Sequence, residues 1–128
     1  MKRTLGLAVF ILVGAVTFIA VTQRLYAQES KSLPGYIVVE QEVLDAEAVK
    51  KFSACVGPTL KPFNAKVLVR GGKTDVIEGD PPKRIIIFAF ESAAVARNWV
   101  NSAAHKACQP LQEKAMRERA YIVEGLAQ

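Results

Sequence analysis

The sequence has very few of the residues on which enzyme active sites usually depend. It contains one histidine, one tryptophan and two cysteines in 128 residues. A metal centre needs several histidine, cysteine or carboxylate ligands at characteristic spacings, and the sequence has no such cluster. It also has no Ser/His/Asp arrangement, no paired catalytic carboxylates and no glycine-rich nucleotide-binding loop. We therefore expect neither a metal ion nor a cofactor, and whether the protein is an enzyme stays open.

An excess of positive charge is also missing from most of the chain. The formal net charge is +5, but Lys2, Arg3 and Arg24 belong to the N-terminal segment. Without these three, 14 of the 17 basic residues remain against 12 acidic ones, a balance of +2. The two signs are interspersed, and no basic stripe with interleaved aromatic residues occurs. Nothing therefore indicates a nucleic-acid partner.

The longest hydrophobic run lies at the N terminus. Lys2 and Arg3 precede an uncharged, mostly apolar run at residues 4–23, and this order is typical of an export signal. The run is also long enough to cross a bilayer as a helix, which takes roughly 20 residues. Two interpretations of residues 1–27 follow: a signal peptide that is cleaved after Ala27, or an uncleaved membrane anchor.

Both interpretations give the rest of the chain the same location. Basic residues beside a membrane segment stay in the cytoplasm, so the remainder is expected in the periplasm or another extracytoplasmic compartment. An uncleaved segment would anchor the protein to the inner membrane and would be its only contact with that membrane. We interpret residues 28–34 as a polar tether and residues 35–126 as one folded domain.

Cys55 and Cys108 are the two cysteines. An even number of cysteines in an oxidising compartment is compatible with a disulfide. The alternative is two small buried side chains without a covalent bond, which is how free cysteine usually packs. Their separation is too wide for a CxxC redox pair, and the sequence leaves the other two interpretations open.

Hydrophobic periodicity and turn residues predict the order strand, helix, strand, strand, helix, strand. The predicted strands are residues 36–43, 65–70, 84–90 and 121–124. Residues 74–78 are predicted to be extended, either as a bulged continuation of the second strand or as a short separate strand.

Capping and breaking residues set the predicted helix ends. Asp45 and Ser92 are the expected N-caps, and Gly57-Pro58 is expected to stop the first helix. Pro110 should kink or divide the second helical segment. The charged residues 114–119 are expected to be solvated.

The predicted order is that of the ferredoxin-like, or split βαβ, fold, so the fold class is α+β. In this topology both helices cover the same face of the sheet. Residues 84–90 and 67–69 are nevertheless apolar on both faces, where a sheet with one face in water would alternate. A second copy packed sheet on sheet would cover the bare face, which predicts a homodimer. An apolar pocket for a ligand on that face is the competing explanation.

An ordered set of residues between Gly35 and Gly125 resembles the domain-of-unknown-function family 1330. The set is Val69-Arg70-Gly71-Gly72, Glu78-Gly79, Arg84, Phe90, Ser92, Ala96, Trp99 and Ser102. The resemblance implies a dimeric α+β barrel of ferredoxin-like subunits and assigns no chemistry. The wider fold group includes cofactor-free monooxygenases, haem-dependent enzymes and small-lactone isomerases, but a shared fold is only an analogy. The chain departs from the family pattern at His105, where tyrosine is usual, and in the turn at residues 80–83, which lacks a tryptophan.

Arg70, Gly71 and Gly72 are the best candidates for a ligand site. Glycine allows a ligand to approach the backbone closely, and a guanidinium beside exposed N–H groups suits a carboxylate or phosphate. The alternative is a bulge that needs glycine, with Arg70 paired to an acid such as Glu78. Glu78 and Arg84 flank the same turn and are predicted to form a structural ion pair.

His105 and Trp99 complete the candidate residues. An unperturbed histidine pKa of about 6.5 would let His105 serve as an acid, a base or a ligand contact, and a surface or packing role is the alternative. Trp99 lies at helical spacing with Val95 and is predicted to be in the core. It could also form one wall of an aromatic-lined pocket.

Three functions follow from these features. The first is binding of a small, partly apolar molecule between sheet and helices, with Arg70, Trp99 and His105 as contacts. The second is a cofactor-independent enzyme, monooxygenase-like or isomerase-like, with His105 as catalytic acid or base. The third is a structural domain that interacts with the cell envelope and has no pocket chemistry.

Overall fold

A computed structural model describes residues 32–127. The predicted signal or anchor, residues 1–27, and most of the predicted tether, residues 28–34, lie outside the described range. The elements are the strands and helices β1 (Gly35–Val43), α1 (Ala46–Val56), a 3-10 helix (Gly57–Phe63), β2 (Lys66–Arg70), β3 (Arg84–Phe90), α2 (Ala93–Asn101), α3 (Ala103–Ala115) and β4 (Met116–Glu124).

The four strands form one antiparallel sheet in the order β2-β3-β1-β4. The first strand of the chain therefore lies between the third and the last. Together with the helices that follow β1 and β3, this arrangement is a βαββαβ unit with the ferredoxin-like strand order. The structure confirms the predicted α+β class and this topology. Among residues 32–127, no helix combines the length and apolar composition that crossing a membrane requires.

Side-chain caps begin the helices where the sequence predicts them. Asp45 accepts hydrogen bonds from the backbone N–H groups of Glu47, at 2.9 Å, and Ala48, at 3.1 Å. Ser92 accepts one from Val95 at 3.2 Å. These bonds satisfy backbone donors that have no partner inside the helix, and a cap of this kind is worth about 1 kcal/mol.

Of the two predicted helix breaks, one is found in the structure. The helix α1 ends at Val56, with Gly57 as its C-cap, as predicted, and the chain then continues as a 3-10 helix to Phe63. Pro110 lies inside α3 without dividing it. Proline removes one backbone donor, but Lys106, the residue whose carbonyl loses its partner, is exposed to solvent.

The break between the last two helices falls at Ser102 instead. The backbone there is extended, with ψ 146°, and Ser102 is both the last cap of α2 and the first cap of α3. Its hydroxyl donates to the Trp99 carbonyl at 2.7 Å and accepts from His105 N–H at 3.2 Å. This one residue therefore fixes how Trp99 and His105 lie relative to each other.

The last strand begins at Met116, five residues earlier than the predicted start at Tyr121. Arg117 and Arg119 are exposed, as expected, and they also pair with acidic residues of β1. Arg119 forms an ion pair with Glu40, and Arg117 lies 3.7 Å from Glu42. Cross-strand pairs of opposite charge stabilise a sheet, so these charges support the strand. The predicted start of this strand was wrong.

Residues 74–78 are not a strand. The segment between β2 and β3 has neither helix nor ladder pairing. Val76 and Ile77 are exposed there, and Ile77 is fully so. Without a hydrogen-bonded neighbour, an apolar pattern of this length cannot establish a strand.

The core fills the space between the sheet and the helices. Trp99 is 4% exposed and contacts the rings of Phe88 and Phe90 at centroid distances of 5.7 Å and 5.6 Å. Aromatic pairs in such tilted arrangements add to the free energy of burial. The other buried apolar residues are Ile37, Val39, Val56, Leu60, Ala93, Ala96, Cys108, Ala115 and Met116.

A disulfide joins α1 to α3 through Cys55 and Cys108, whose Cα atoms are 5.9 Å apart. Cys108 is almost completely buried, and Cys55 is half-buried. The link ties together two helices that lie over the same face of the sheet. It also closes a loop between residues 53 positions apart.

We predict that the variant C55A/C108A is less stable than the oxidised protein by about 4 kcal/mol, because the crosslink restricts the unfolded chain. Urea unfolding followed by circular dichroism measures this difference. Reductant should lower the stability of the wild-type protein and leave the variant unchanged, which is the internal control. Equal urea midpoints for wild type and variant would contradict a stabilising crosslink.

Candidate functional site

A cavity of about 230 Å³ lies between the sheet and the helices. All four strands and all three α-helices contribute to its wall. Its apolar and aromatic lining comprises Ile37, Val39, Val49, Phe52, Val56, Leu60, Ile86, Phe88, Trp99, Val100, Met116 and Ala120, and its polar or charged lining comprises Gln41, Ser53, Arg70, Arg84, His105, Gln109, Gln112 and Glu118.

Strand register divides the floor of the cavity into rows. Residues that pair across β3, β1 and β4 share one face of the sheet, and alternate pairs face the helices. One such row is Ile86, Val39 and Ala120, and the row beside it is Arg84, Gln41 and Glu118. The floor is therefore apolar along one line and polar along the next.

Trp99 forms part of the wall from α2. Its indole Nε1 donates to the Thr59 hydroxyl at 2.9 Å, and that hydroxyl donates to the Val56 carbonyl at 2.6 Å. The buried N–H thus has a partner, and the indole is tethered to the 3-10 helix. The prediction that Trp99 is a core residue and the prediction that it is a pocket wall both describe its position.

His105 lies beside Trp99, with ring centroids 4.3 Å apart. Its Nδ1 is 3.0 Å from the Val100 carbonyl, so Nδ1 carries a proton and the neutral ring presents Nε2 as an acceptor. Burial lowers the pKa of His105 below its ordinary value; the Val100 carbonyl opposes that shift and the charge of Lys106 adds to it. The histidine is therefore neutral at pH 7, the form that can accept a proton.

Gln41 and Glu118 form a pair on the floor that sequence reasoning missed. Gln41 is 5% exposed, and its Nε2 lies 3.2 Å from Glu118 Oε2 and 2.9 Å from Met116 Sδ. Its Oε1 is buried and has no hydrogen-bond partner among residues 32–127. Burial raises the pKa of Glu118, and the hydrogen bond from Gln41 opposes that shift.

Two arginines lie at the same end of the cavity. Arg84 opposes Gln41 across the sheet, and Arg70 opposes Ile86, the next inward residue of β3. Within the described part of the chain, neither arginine takes part in an ion pair. The pairing predicted between Glu78 and Arg84, and the alternative pairing of Arg70 with Glu78, are therefore absent there.

Gly71 supports Arg84 rather than lining the cavity. Its φ is +63°, and a Cβ placed on it would lie 2.4 Å from Arg84 Nε. Only glycine combines that backbone conformation with such a close approach. Gly72 does not line the cavity either, and a Cβ there would meet nothing within 4 Å.

The predicted ligand contacts therefore divide into two groups. Arg70, Trp99 and His105 all line one cavity, although they come from different elements. Gly71 and Gly72 lie beside it. Ligand binding by any of these residues stays a prediction. No group of residues in the range 32–127 has the arrangement needed to hold a metal ion.

Comparison with known families identifies the family of this chain. The sequence model for the family "Domain of unknown function (DUF1330)" matches residues 34–126. The chain belongs to this family. The match covers nearly the whole described region, including every strand and helix and all residues of the cavity. A comparison with curated protein sequences gave no match.

Solved structures share the fold at low sequence identity. A protein of unknown function from Rhodopseudomonas palustris, RPA0582, superposes with a TM-score of 0.63 at 15% identity, covering 85% of this chain and 94% of that one. SnoaB, a cofactor-independent oxygenase from Streptomyces nogalater, has a TM-score of 0.51 at 9% identity, covering 76% and 97%. At these identities the likeness shows the fold alone.

We predict that Glu118→Gln stabilises the protein at neutral pH. The pKa of Glu118 is raised in the folded state, so wild type loses stability as the pH rises from the unfolded-state pKa through the folded one, when the carboxyl ionises in the cavity. Glutamine keeps an acceptor for Gln41 and never ionises. Thermal unfolding between pH 4 and pH 7.5 should show a difference that grows with pH.

Glu124→Gln is the matched control, because Glu124 lies in the same strand and is exposed. Its effect should be small throughout that range. A Glu118→Gln protein that is less stable than wild type at neutral pH would show that the ionised carboxylate is well accommodated.

Proposed function

We propose that this protein is an exported homodimer, an α+β barrel that binds a small, partly apolar molecule in the cavity between sheet and helices. One observation carries the proposal: Arg70, Trp99 and His105 line a single cavity whose floor has an apolar row beside a polar one. Ligand sites typically combine such a lining with a few polar groups that fix orientation.

The chemistry of the wall supports a ligand more than a simple packing gap. A void lined only by apolar side chains needs no occupant. Here the side chains of Gln41 and Glu118 face inward, with Gln41 Oε1 buried and unpaired among residues 32–127. A buried polar atom without a partner costs about 1–3 kcal/mol. Such a cost is common where a site is built for something other than stability.

The outer face of the sheet supports the homodimer. Side chains there form apolar rows, such as Tyr121, Val38 and Ile87, which pair across β4, β1 and β3. Tyr121 remains 45% exposed and Val123 43% exposed in the single chain. A second copy packed against this face would remove these rows from water, and a two-fold axis would let the same patch serve both subunits.

The disulfide and the N-terminal sequence support export. The run of apolar residues after Lys2 and Arg3 has the pattern of a signal or anchor. Disulfides persist in oxidising compartments and are rare in the cytosol, and the cysteines of the described region are joined. Both features fit a periplasmic protein, either released or held at the inner membrane.

Native mass spectrometry of the protein, expressed as the full-length chain and recovered under mild conditions, tests the proposal. We expect a dimer that carries a reproducible extra mass of a few hundred daltons, as fits a cavity below the usual range of about 300–1,000 Å³. A dimer without added mass would favour the third function, a structural domain of the envelope, over ligand binding.

A pair of variants separates a specific dimer from non-specific association. Ile87→Lys places a charge in the middle of the outer face and should give monomers. Ile77→Lys makes the same change at a fully exposed position between β2 and β3 and should remain dimeric. Circular dichroism checks that both variants stay folded. A monomeric wild-type protein would overturn the dimer, as would an Ile87→Lys protein that remains dimeric.

A cofactor-independent enzyme is the second candidate, and His105 is the observation that favours it. The neutral ring offers Nε2 as an acceptor beside the cavity, held in place by the Val100 carbonyl. A base whose pKa lies near or below the working pH can accept a proton in catalysis. SnoaB is described as a cofactor-independent oxygenase, and that description is compatible with such chemistry here.

For this candidate we predict that His105→Gln abolishes turnover, because glutamine cannot accept and return the proton. Oxygen uptake with phenolic compounds and absorbance assays with small unsaturated lactones are suitable measurements. Lys106→Gln is the control, since Lys106 is exposed and does not line the cavity. If His105→Gln alters ligand affinity alone, or if wild type converts none of these compounds, the binding function is favoured.

A further inference from the structure

The polar end of the cavity has an uneven distribution of charge. Arg84, Gln41 and Glu118 form one row across the floor, with Gln41 between the two charged side chains. Adjacent strands lie about 4.8 Å apart, so the arginine and the carboxylate belong to strands roughly 10 Å apart. No ion pair joins them within residues 32–127. The arginine therefore faces the cavity without an acidic partner.

Arg70 adds a second positive charge at this end. It lies on β2, next to β3, and its inward position is one step along the sheet from Arg84. Arg70 is exposed and Arg84 is half-buried, and both residues line the cavity. Gly71 follows Arg70, and its lack of a Cβ is what allows Arg84 to approach the backbone.

The charges at this end do not balance. Two arginines against one carboxylate leave a charge of +1 when Glu118 is ionised and +2 when it is protonated. Guanidinium groups bind carboxylates through parallel, charge-assisted hydrogen bonds, and these bonds are stronger where water is excluded. A neutral or cationic ligand would leave this charge without a counterpart in a partly enclosed site.

The opposite end of the cavity is suited to an apolar body. Phe88 lies two rows from Arg84 along β3 and contacts Trp99, and Phe52 also lines the cavity. The row that adjoins the polar one consists of Ile86, Val39 and Ala120. A ligand that fills both ends must therefore be charged at one end and apolar at the other.

We propose that the cavity binds a small amphipathic monoanion, with its carboxylate between Arg84 and Arg70 and its apolar body against Phe52, Phe88 and Trp99. This inference rests on the proposed ligand-binding role of the cavity and specifies the chemical class of the ligand. The cavity volume of about 230 Å³ limits the ligand to a small molecule. Glu118, on the far side of Gln41, repels the anion from β4 and thereby helps to fix its orientation.

Three probes with the same apolar chain and different head groups test this assignment: octanoate, 1-octanol and octylamine. The full-length protein is titrated with each, and binding is followed through Trp99, the one tryptophan of the chain, with calorimetry as a second readout. Because a hydrogen bond to a charged group contributes about 1.5–3 kcal/mol, octanoate should bind at least about tenfold more tightly than octanol. Octylamine should bind most weakly.

Arginine variants identify the source of the preference. Arg84→Gln and Arg70→Gln should each weaken octanoate binding by about tenfold and leave octanol binding nearly unchanged. Two independent variants are used so that the test survives if one of them does not fold. Arg97→Gln is the matched control, because Arg97 is an exposed arginine of α2 that does not line the cavity. Glu118→Gln should strengthen octanoate binding.

The experiments distinguish a wrong assignment of the ligand as an anion from a wrong assignment of the cavity as a binding site. If octanoate and octanol bind equally well, or if the preference survives both arginine substitutions, the cavity binds ligands but the anion assignment is overturned. If none of the three probes binds to the wild-type protein, the binding role of the cavity is overturned, and this inference with it. Selective binding of octanoate that both variants lose would support the assignment.

Discussion

The placement of every helix on one face of the sheet is the constraint on which the rest of this structure depends. It follows from the two crossover connections of a βαββαβ chain, which leave β1 and β3 at the centre of the sheet. The inner face then receives the whole core and the cavity, since no other surface is covered. The outer face keeps apolar rows of its own, so both faces of the sheet carry apolar side chains.

The face of the sheet that the helices cover carries both a packed core and a cavity. Trp99 is tethered through Thr59 to the 3-10 helix, and the Cys55–Cys108 link joins α1 to α3 above the floor. These contacts fix the helices relative to one another. Side chains of intermediate size on the floor, such as Val39 and Ala120, leave the remaining space unfilled. The cavity thus lies between helices that are joined to one another and a floor that includes small side chains.

Much of the fold could be predicted from local sequence. The start of β4 and part of the cavity lining could not, because they depend on residues that are distant in the chain. The strand at residues 84–90 is apolar apart from Arg84, and Asp45 and Ser92 are capping residues, so local physics sufficed. The start of β4 could not be found, because Arg117 and Arg119 are paired with acids of β1 that lie more than 70 positions away. The same limit applies to the site. Arg70, Trp99 and His105 were chosen by residue type, whereas Gln41 and Glu118 face the cavity only because of strand register.

The position of β1 has a consequence for how this protein is made. Its two neighbours in the sheet, β3 and β4, are both synthesised after it, and β4 ends at Glu124, close to the C terminus. β1 therefore cannot acquire its full set of hydrogen bonds until β4 has been made, whereas β3 follows both of its neighbours, β2 and β1, in the chain. A premature stop before β4 would leave one side of β1 as an open edge, where strands of other chains could add.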